Sequence, residues 1–519
     1  MQKTTSLTGA SESKPDMKLF IACFIALVTT AFGFILRAVV LPQWGEEFRL
    51  TQTQLGEISG VGLWPFAISI VLFSLIIDKI GYKTAMIFAI ICHITSAIIT
   101  IFANGYWMLY IGTFIVALGN GTVEAVVNPV VATMFPREKT KWLSILHAGW
   151  AGGLVLGGVM ALLLGQDIQW EYKIGLILLP TLVYAFMMIP RKFPLNERVQ
   201  AGVSYKEMLQ EVGAGGALII IALIVFQLGA VFGWSTSLNI IITLLLTVLF
   251  GFYTRSFGQP LFILLLLIMI PLAITELGTD SWITDLMTPE MGKLGLQAGW
   301  VLVYTSAIMF VLRFFAGPIL HKISSVGLLA VCSGIAAIGL YMLSFSSGII
   351  ILVAATIYGL AKTFFWPTML GVVAERFPKG GALTLNITGG LGMIAAGVIG
   401  AGILGFIQDK SVDVKVAEYD RVNKVALHST YVTEQKTSLF GDYQALDQNK
   451  LALASPEDLQ TVATIRDTAK KEALRYIVVF PIIMMVSYVG LLVYFRSKGG
   501  YKAVVLQKEP VVIPIPNQH

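Results

Sequence analysis

Runs of about twenty apolar residues, repeated along the whole chain and separated by short polar turns, leave this sequence few ways to fold. A helix needs roughly 20 mostly apolar residues to cross about 30 Å of hydrocarbon. Segments near 19–41, 54–77, 84–103, 107–134, 142–164 and 171–189 meet that length, and after a polar stretch two more lie near 214–232 and 237–254. Six follow near 260–283, 298–320, 326–345, 349–374, 383–407 and 475–495. The six-two-six pattern predicts an all-α membrane protein of 14 spans, with two six-helix bundles and two additional central helices. The chain then divides into an N-terminal segment 1–17, a first bundle 18–190, a linker with the two extra helices 191–257, a second bundle 258–495 that includes a long outer loop 408–474, and a tail 496–519.

Composition supports that reading: 56% hydrophobic and 13% charged residues exclude an ordinary water-soluble surface. Fifty glycines, spread through the apolar runs, suit helices whose backbones approach closely. A net charge of +6 would suggest nucleic acid in a soluble protein. Here the basic residues sit mainly in short loops and read as topology signals. With the N-terminus placed in the cytoplasm, twenty of the 36 Lys and Arg fall on the cytoplasmic side, whereas the short outer loops hold only Arg49 and Lys293. That asymmetry predicts both termini inside. Cys23, Cys92 and Cys332 lie within apolar segments and are too few for a disulfide framework. The N-terminus lacks a small-residue cleavage site after an early apolar stretch, so the first span is expected to be retained. In the long outer loop, Ser455-Pro456-Glu457-Asp458 opens like a capped helix and is expected to lead into the last span.

Internal symmetry shows where the second and tenth segments end. Ser74-Leu75-Ile76-Ile77-Asp78-Lys79-Ile80-Gly81-Tyr82-Lys83 parallels Gly317-Pro318-Ile319-Leu320-His321-Lys322-Ile323-Ser324. The first copy resembles the loop signature of the major facilitator superfamily, with Ser74 and Tyr82 as departures. The resemblance implies a conformational hinge and charge latch at Asp78, Lys79, Gly81 and Lys83, and attraction between Asp78 and an adjacent helix N-terminus suits that role.

A second match is more specific. Gly119-Asn120-Gly121-Thr122-Val123-Glu124-Ala125-Val126-Val127-Asn128-Pro129 resembles a helix of the fucose-galactose-glucose:proton symporter family. Leu41-Pro42-Gln43-Trp44 and Glu276 with Ser281-Trp282 extend the likeness over both six-helix halves, but not over the extra helices or the outer loop. The resemblance implies a divergent sugar carrier of a bacterial inner membrane. That family carries an acid four positions before the proline ending the first span, where this chain has Ala38, so Glu124 is left as the matched proton-coupling acid.

The residues themselves offer a transport apparatus. Glu124 and Asn128 share one helical face, and Pro129 frees a carbonyl one turn earlier. Ionisable side chains in such spans mark functional sites by default. Lys362 and Trp366 lie one turn apart, giving a donor and an aromatic platform for a sugar. Aligning Pro367 with Pro129 matches Lys362 to Glu124, whereas aligning Phe377-Pro378 with Phe135-Pro136 matches Trp366 to it. His147 and Trp150 precede Gly152-Gly153, as Asn386 and Thr388 precede Gly389-Gly390. Glu276 is favoured over Asp280, which approaches the outer surface. Solute-binding candidates are thus Asn128, His147, Trp150, Glu276, Trp282, Lys362, Trp366 and Asn386, with Arg37 and Arg313 as charge partners for the buried acids.

A nucleotide-binding motif, metal-ligand spacing and nucleophile elbow are all lacking, so no cofactor or metal is expected and an ion or solute gradient should supply the energy. The expected partners are a small polar solute, a proton and the lipid bilayer, not nucleic acid. A sugar-acid or other organic-anion carrier, a uniporter and a non-transporting receptor stay open, and no oligomeric state follows from the sequence.

Overall fold

A computed structural model describes residues 15–50, 52–164, 168–297, 299–438 and 441–506. Among them, 13 helices are long and apolar enough to cross a membrane. A further apolar helix, Gly299–Arg313, is shorter, and after a turn it continues as Ala316–Leu320. Together these two occupy the expected tenth segment, which completes the six-two-six order.

Helix starts follow local chemistry. The seventh span, Tyr205–Phe232, opens on a capping box in which the Ser204 hydroxyl accepts from the Glu207 amide while Glu207 reaches back to the Ser204 amide. Ser235 and Ser324 cap the eighth and eleventh spans in the same way as N-cap acceptors. Ser455 caps Pro456–Ile477, which runs on as the helix Val479–Ser497.

Close helix approach depends on glycine. In the fourth span, Tyr106–Met134, a Cβ at Gly121 would lie 2.2 Å from the Phe66 carbonyl oxygen and 2.7 Å from Ser69 Cβ of the second span. In the fifth span, Lys139–Leu163, a Cβ at Gly153 would lie 2.4 Å from the Val28 carbonyl oxygen of the first. These contacts bring backbones together, as small residues do wherever lipid supplies no hydrophobic drive between helices.

Two bundles result. In the first, the first span packs on the fifth, and the fourth on the second and third. In the second, the eleventh span, Ser325–Leu343, packs on the twelfth and fourteenth. The bundles meet where the second and fourth spans face the thirteenth, and where the fifth faces the tenth and twelfth. The two extra helices pack chiefly on each other, and the seventh also touches the ninth and thirteenth. A kink at Gly213, φ 55°, fixes that docking: the Ala214 and Gly215 amides donate to the Ser256 and Phe257 carbonyls at 2.9 and 2.8 Å.

Both described termini lie at one end, here called the terminal end. Asp16 pairs with Arg191 at 3.7 Å, and the Tyr501 hydroxyl donates to Glu375 at 2.6 Å. At the other end the long loop folds into a cap. The helix Ala401–Asn423 packs on Pro456–Ile477, with an antiparallel hairpin of β1, Glu434–Ser438, and β2, Gly441–Ala445, beside them. Val416, Tyr431, Leu446 and Val462 form a separate small core there.

Because Gly121 has no room for a side chain, Gly121→Val should destabilise the protein by about 1–3 kcal/mol or more. Gly490→Val, at a glycine with open space around it, should leave stability unchanged. Thermal unfolding in detergent compares the two, and equal melting temperatures would contradict the packing assigned to Gly121.

Candidate functional site

Prolines and broken helices determine where the interior charges sit. In the twelfth segment, Ile350–Lys362 ends and Phe365–Arg376 begins beyond a break. Pro367 has no N–H to offer the Thr363 carbonyl. Arg313 Nε donates to that oxygen at 2.8 Å instead. The break also releases the Trp366 amide, which donates to Glu276 Oε2 at 3.1 Å. Glu276 itself lies in a π-helical turn, Ile274–Gly278, just after Pro271, and such turns recur at functional sites. A second π turn, Ala395–Gly400, packs against it.

Arg313 ties the two bundles together. Its Nη2 lies 3.3 Å from Glu276 Oε1, and its Nη1 donates to the His147 carbonyl of the first bundle at 2.6 Å. His147 Nε2 meets Asn128 Oδ1 at 2.9 Å, and Asn128 Nδ2 donates to Glu124 Oε2 at 2.5 Å. All five side chains are buried. One continuous polar chain therefore runs Glu276, Arg313, His147, Asn128, Glu124 from one half to the other.

A second link crosses nearby. Pro129 cannot bond the Ala125 carbonyl, and Asn386 Nδ2 from the thirteenth span donates to it at 3.0 Å. The Asn386 Oδ1 is buried with no hydrogen-bond partner among the described residues. Lys362, fully buried, pairs with Asp280 at 2.5 Å and lies 5.3 Å from the Tyr358 ring centroid.

At the terminal end the halves are closed. Lys139 Nζ bonds Glu197 at 2.5 Å and the Ala374 carbonyl at 3.2 Å, while the Thr140 hydroxyl donates to Glu375 at 2.6 Å. At the opposite end a Cβ at Gly397 would touch Leu63 at 3.4 Å and one at Gly158 would meet Val303 at 2.8 Å. Two small clefts lie away from the central charges, the first beside Arg37 and the second at the terminal end between Lys139, Glu197 and Phe377.

This architecture has counterparts. The family model for the Major Facilitator Superfamily matches residues 22–278. The crystal structure of the Escherichia coli fucose:proton symporter superposes with a TM-score of 0.56 at 15% identity, covering 90% of this chain and 98% of that one. The chain belongs to the major facilitator superfamily. It is a transporter scaffold whose fold resembles that symporter and, with a TM-score of 0.61 at 11% identity over 91% of this chain and 99% of the other, a human organic anion transporter. In sequence, a gentisate transporter of Corynebacterium glutamicum is 22% identical over 185 residues, 35% of this chain. The chain spans 41% of that relative's length in the match.

Within the superfamily fold, most of the singled-out residues converge, with different pairings. The acid–base pairings expected for Glu124 are not made: Lys362 binds Asp280, and Arg37 bonds no acid among the described residues. Asp280, set aside as near the surface, supplies the Lys362 counter-ion because it stands one turn beyond Glu276 on the same helix. Trp366 takes part through its backbone amide, and its buried indole packs near Gly392. Trp150 is partly buried 6.1 Å from the Phe34 ring, outside the hydrogen-bonded chain. The side chain of Trp282 lies outside the described residues.

In the loop motif, Gly81 adopts φ 80° between two helices, and Lys79 lies 5.6 Å from the Tyr205 ring centroid. Lys83 is exposed beside them. Asp78 is met by Arg198 of the linker rather than by a helix end, because the short helix Glu197–Gln200 brings that guanidinium to it. Sequence reasoning missed Arg198, Lys139 and Glu375. Their positions in loops and at helix ends distinguish them from the other surface charges only once the chain is folded.

Lys362→Met should leave Asp280 as an orphaned charge and destabilise by about 3–5 kcal/mol, and adding Asp280→Asn should recover most of that loss. A thermal double-mutant cycle in detergent measures the coupling. Additive effects would mean that the pair contributes nothing beyond its separate members.

Proposed function

We propose that this protein is a secondary carrier that moves a sugar or related small polar solute by alternating access, coupled to protons through Glu124. The observation that carries the reading is the polar chain from Glu124 to Glu276 through Arg313, since it joins the two bundles that must move relative to one another. Three acids, Glu124, Glu276 and Asp280, face two cations, Arg313 and Lys362. Both cations hold an acid other than Glu124. Glu124 is thus the carboxyl whose charge depends on the distance to a cation anchored in the opposite half. Coupling requires that protonation favour one state over another, and a site with equal proton affinity in every state shifts nothing.

The solute class follows from the same pairs. Because Lys362 and Arg313 are already neutralised, an added anion would have to displace Asp280 or Glu276. A neutral polyhydroxylated solute needs no displacement, since paired charges still offer donors and acceptors to hydroxyls. The unused Asn386 Oδ1 supplies a further acceptor beside the chain. Similarity to a fucose:proton symporter supports this reading, whereas similarity to a gentisate transporter and an organic anion transporter favours an organic-anion or sugar-acid carrier as the second one. Under either reading the terminal end faces the cytoplasm of a bacterial inner membrane, as the loop charges indicate.

Glu124→Gln keeps shape and hydrogen bonding while holding the charge at zero. It should abolish proton-driven accumulation in sealed vesicles yet retain exchange of labelled solute, which needs no net proton movement. Accumulation at the parent level would exclude Glu124 as the coupling group. Counterflow with neutral sugars and sugar acids tells the two solute classes apart, and conversion of the labelled compound would mark an enzyme instead.

A further inference from the structure

The chain turns back on itself after its last span. Gly499 and Gly500 follow the helix Val479–Ser497 with φ of 83° and 97°, a left-handed pair that favours glycine, and the Gly500 amide donates to the Phe495 carbonyl at 2.8 Å. Packing holds the reversal: the Tyr501 ring stands edge-on to Phe495, with centroids 5.2 Å apart and planes at 87°. The residues beyond it lie against the end of a different helix, Phe365–Arg376.

That helix end is gripped from both sides. Carbonyls in the last turn of a helix have no partner within it. The tail supplies one for Glu375, whose carbonyl accepts from the Val504 amide at 2.8 Å. Arg376 Nη1 donates to the Lys502 carbonyl at 2.6 Å, and its guanidinium stands 5.3 Å from the Phe495 ring centroid. From the other side the first bundle reaches in, with Lys139 Nζ on the Ala374 carbonyl at 3.2 Å. The Glu375 carboxylate is shared between the two: Oε1 accepts from the Thr140 hydroxyl of the first bundle at 2.6 Å, and Oε2 accepts from the Tyr501 hydroxyl at 2.6 Å. Thr140 is buried, and Glu375 and Tyr501 are half-buried.

Separation of the halves breaks one of these two bonds and spares the other. Tyr501 and Glu375 belong to the second half and move together, whereas Thr140 belongs to the first. We propose that the tail 499–504 is a strap that sets the terminal-end latch: Tyr501 is a positioning residue that holds Glu375 in the orientation Thr140 requires, and so biases the carrier toward the state closed at that end. The inference rests on the alternating-access reading above. A free glutamate side chain loses rotamer freedom when it is bound. With one oxygen fixed by Tyr501 and the backbone by Val504, most of that loss precedes the meeting of the halves, and the bond to Thr140 gains the strength of a charged acceptor.

Alkylation of a cysteine beneath the latch tests this, because its rate follows the open fraction when opening is fast relative to modification. Ala132→Cys, in full-length protein whose three native cysteines are replaced, places a thiol at a buried site on the fourth span beside Phe377 and Leu385 of the second half. Tyr501→Phe should raise its alkylation rate about two- to tenfold, the factor set by ordering one rotamer-rich side chain. Thr140→Val should raise it as well, and adding Tyr501→Phe to Thr140→Val should give no further rise, since the strap acts through that bond. Cys92 of the third span, retained alone in a companion protein, should react at the parent rate in every variant. An unchanged rate in Tyr501→Phe beside a faster one in Thr140→Val would overturn the strap and leave alternating access standing. Unchanged rates in both would overturn the latch itself, and if Arg313→Met/Glu276→Gln were equally unreactive the alternating-access reading would fall with it. Independent effects of the two substitutions, or equal acceleration at Cys92, would mark general loosening and overturn the proposal too.

Discussion

One guanidinium holds the centre of this molecule together. Arg313 contributes to a salt bridge with Glu276, satisfies the Thr363 carbonyl that Pro367 leaves open, and reaches the His147 carbonyl of the other bundle. Burying a charge in hydrocarbon is tolerable only where partners meet nearly every donor. The two halves consequently need each other at this point. If His147 moved away on opening, one guanidinium donor would lose its acceptor unless water or solute replaced it. On the proposed alternating-access reading, that requirement would make this contact respond to what occupies the space between the halves.

The same logic explains why the interior contains interrupted helices. A regular helix has no spare backbone groups, so it cannot bind anything through its main chain. Pro129 and Pro367 each release a carbonyl one turn back, and side chains fill those vacancies: Asn386 at Ala125 and Arg313 at Thr363. The π turn at Glu276 and the break before Trp366 do the same for a carboxylate and an amide. Polar function is thereby confined to a few points within spans that remain apolar toward lipid. The terminal end uses other means, with the buried Lys139 and Thr140 and the partly buried Glu375 joining the halves through side chains.

Much of this was legible in the sequence because membrane constraints act locally. Span length, loop charge and the Glu124–Asn128–Pro129 motif are read within one helix, and each identifies an element without knowledge of its neighbours. The convergence of His147, Arg313, Glu276 and Asn386 was signalled only by their rarity in apolar runs. Pairing was not legible. Lys362 met Asp280 rather than Glu124 because helix rotation, set by glycine contacts and the break at 363–364, decides which face points inward. The tenth segment carried enough apolar residues for one span, yet it turns after Arg313, where the side chain is drawn inward to its three partners.

The central claim is that Arg313, held by Glu276 and reaching the His147 carbonyl of the first bundle, ties the two halves together, and a distance measurement addresses it most directly. Spin labels at the exposed positions Lys83 and Lys322, one in each half near the terminal end, can be introduced after replacing the three cysteines. Pulsed electron-spin resonance then compares the parent with Arg313→Met/Glu276→Gln, which removes both charges and leaves neither orphaned. The account predicts a longer-distance population in the double variant that is absent from the parent. Identical distance distributions would contradict it.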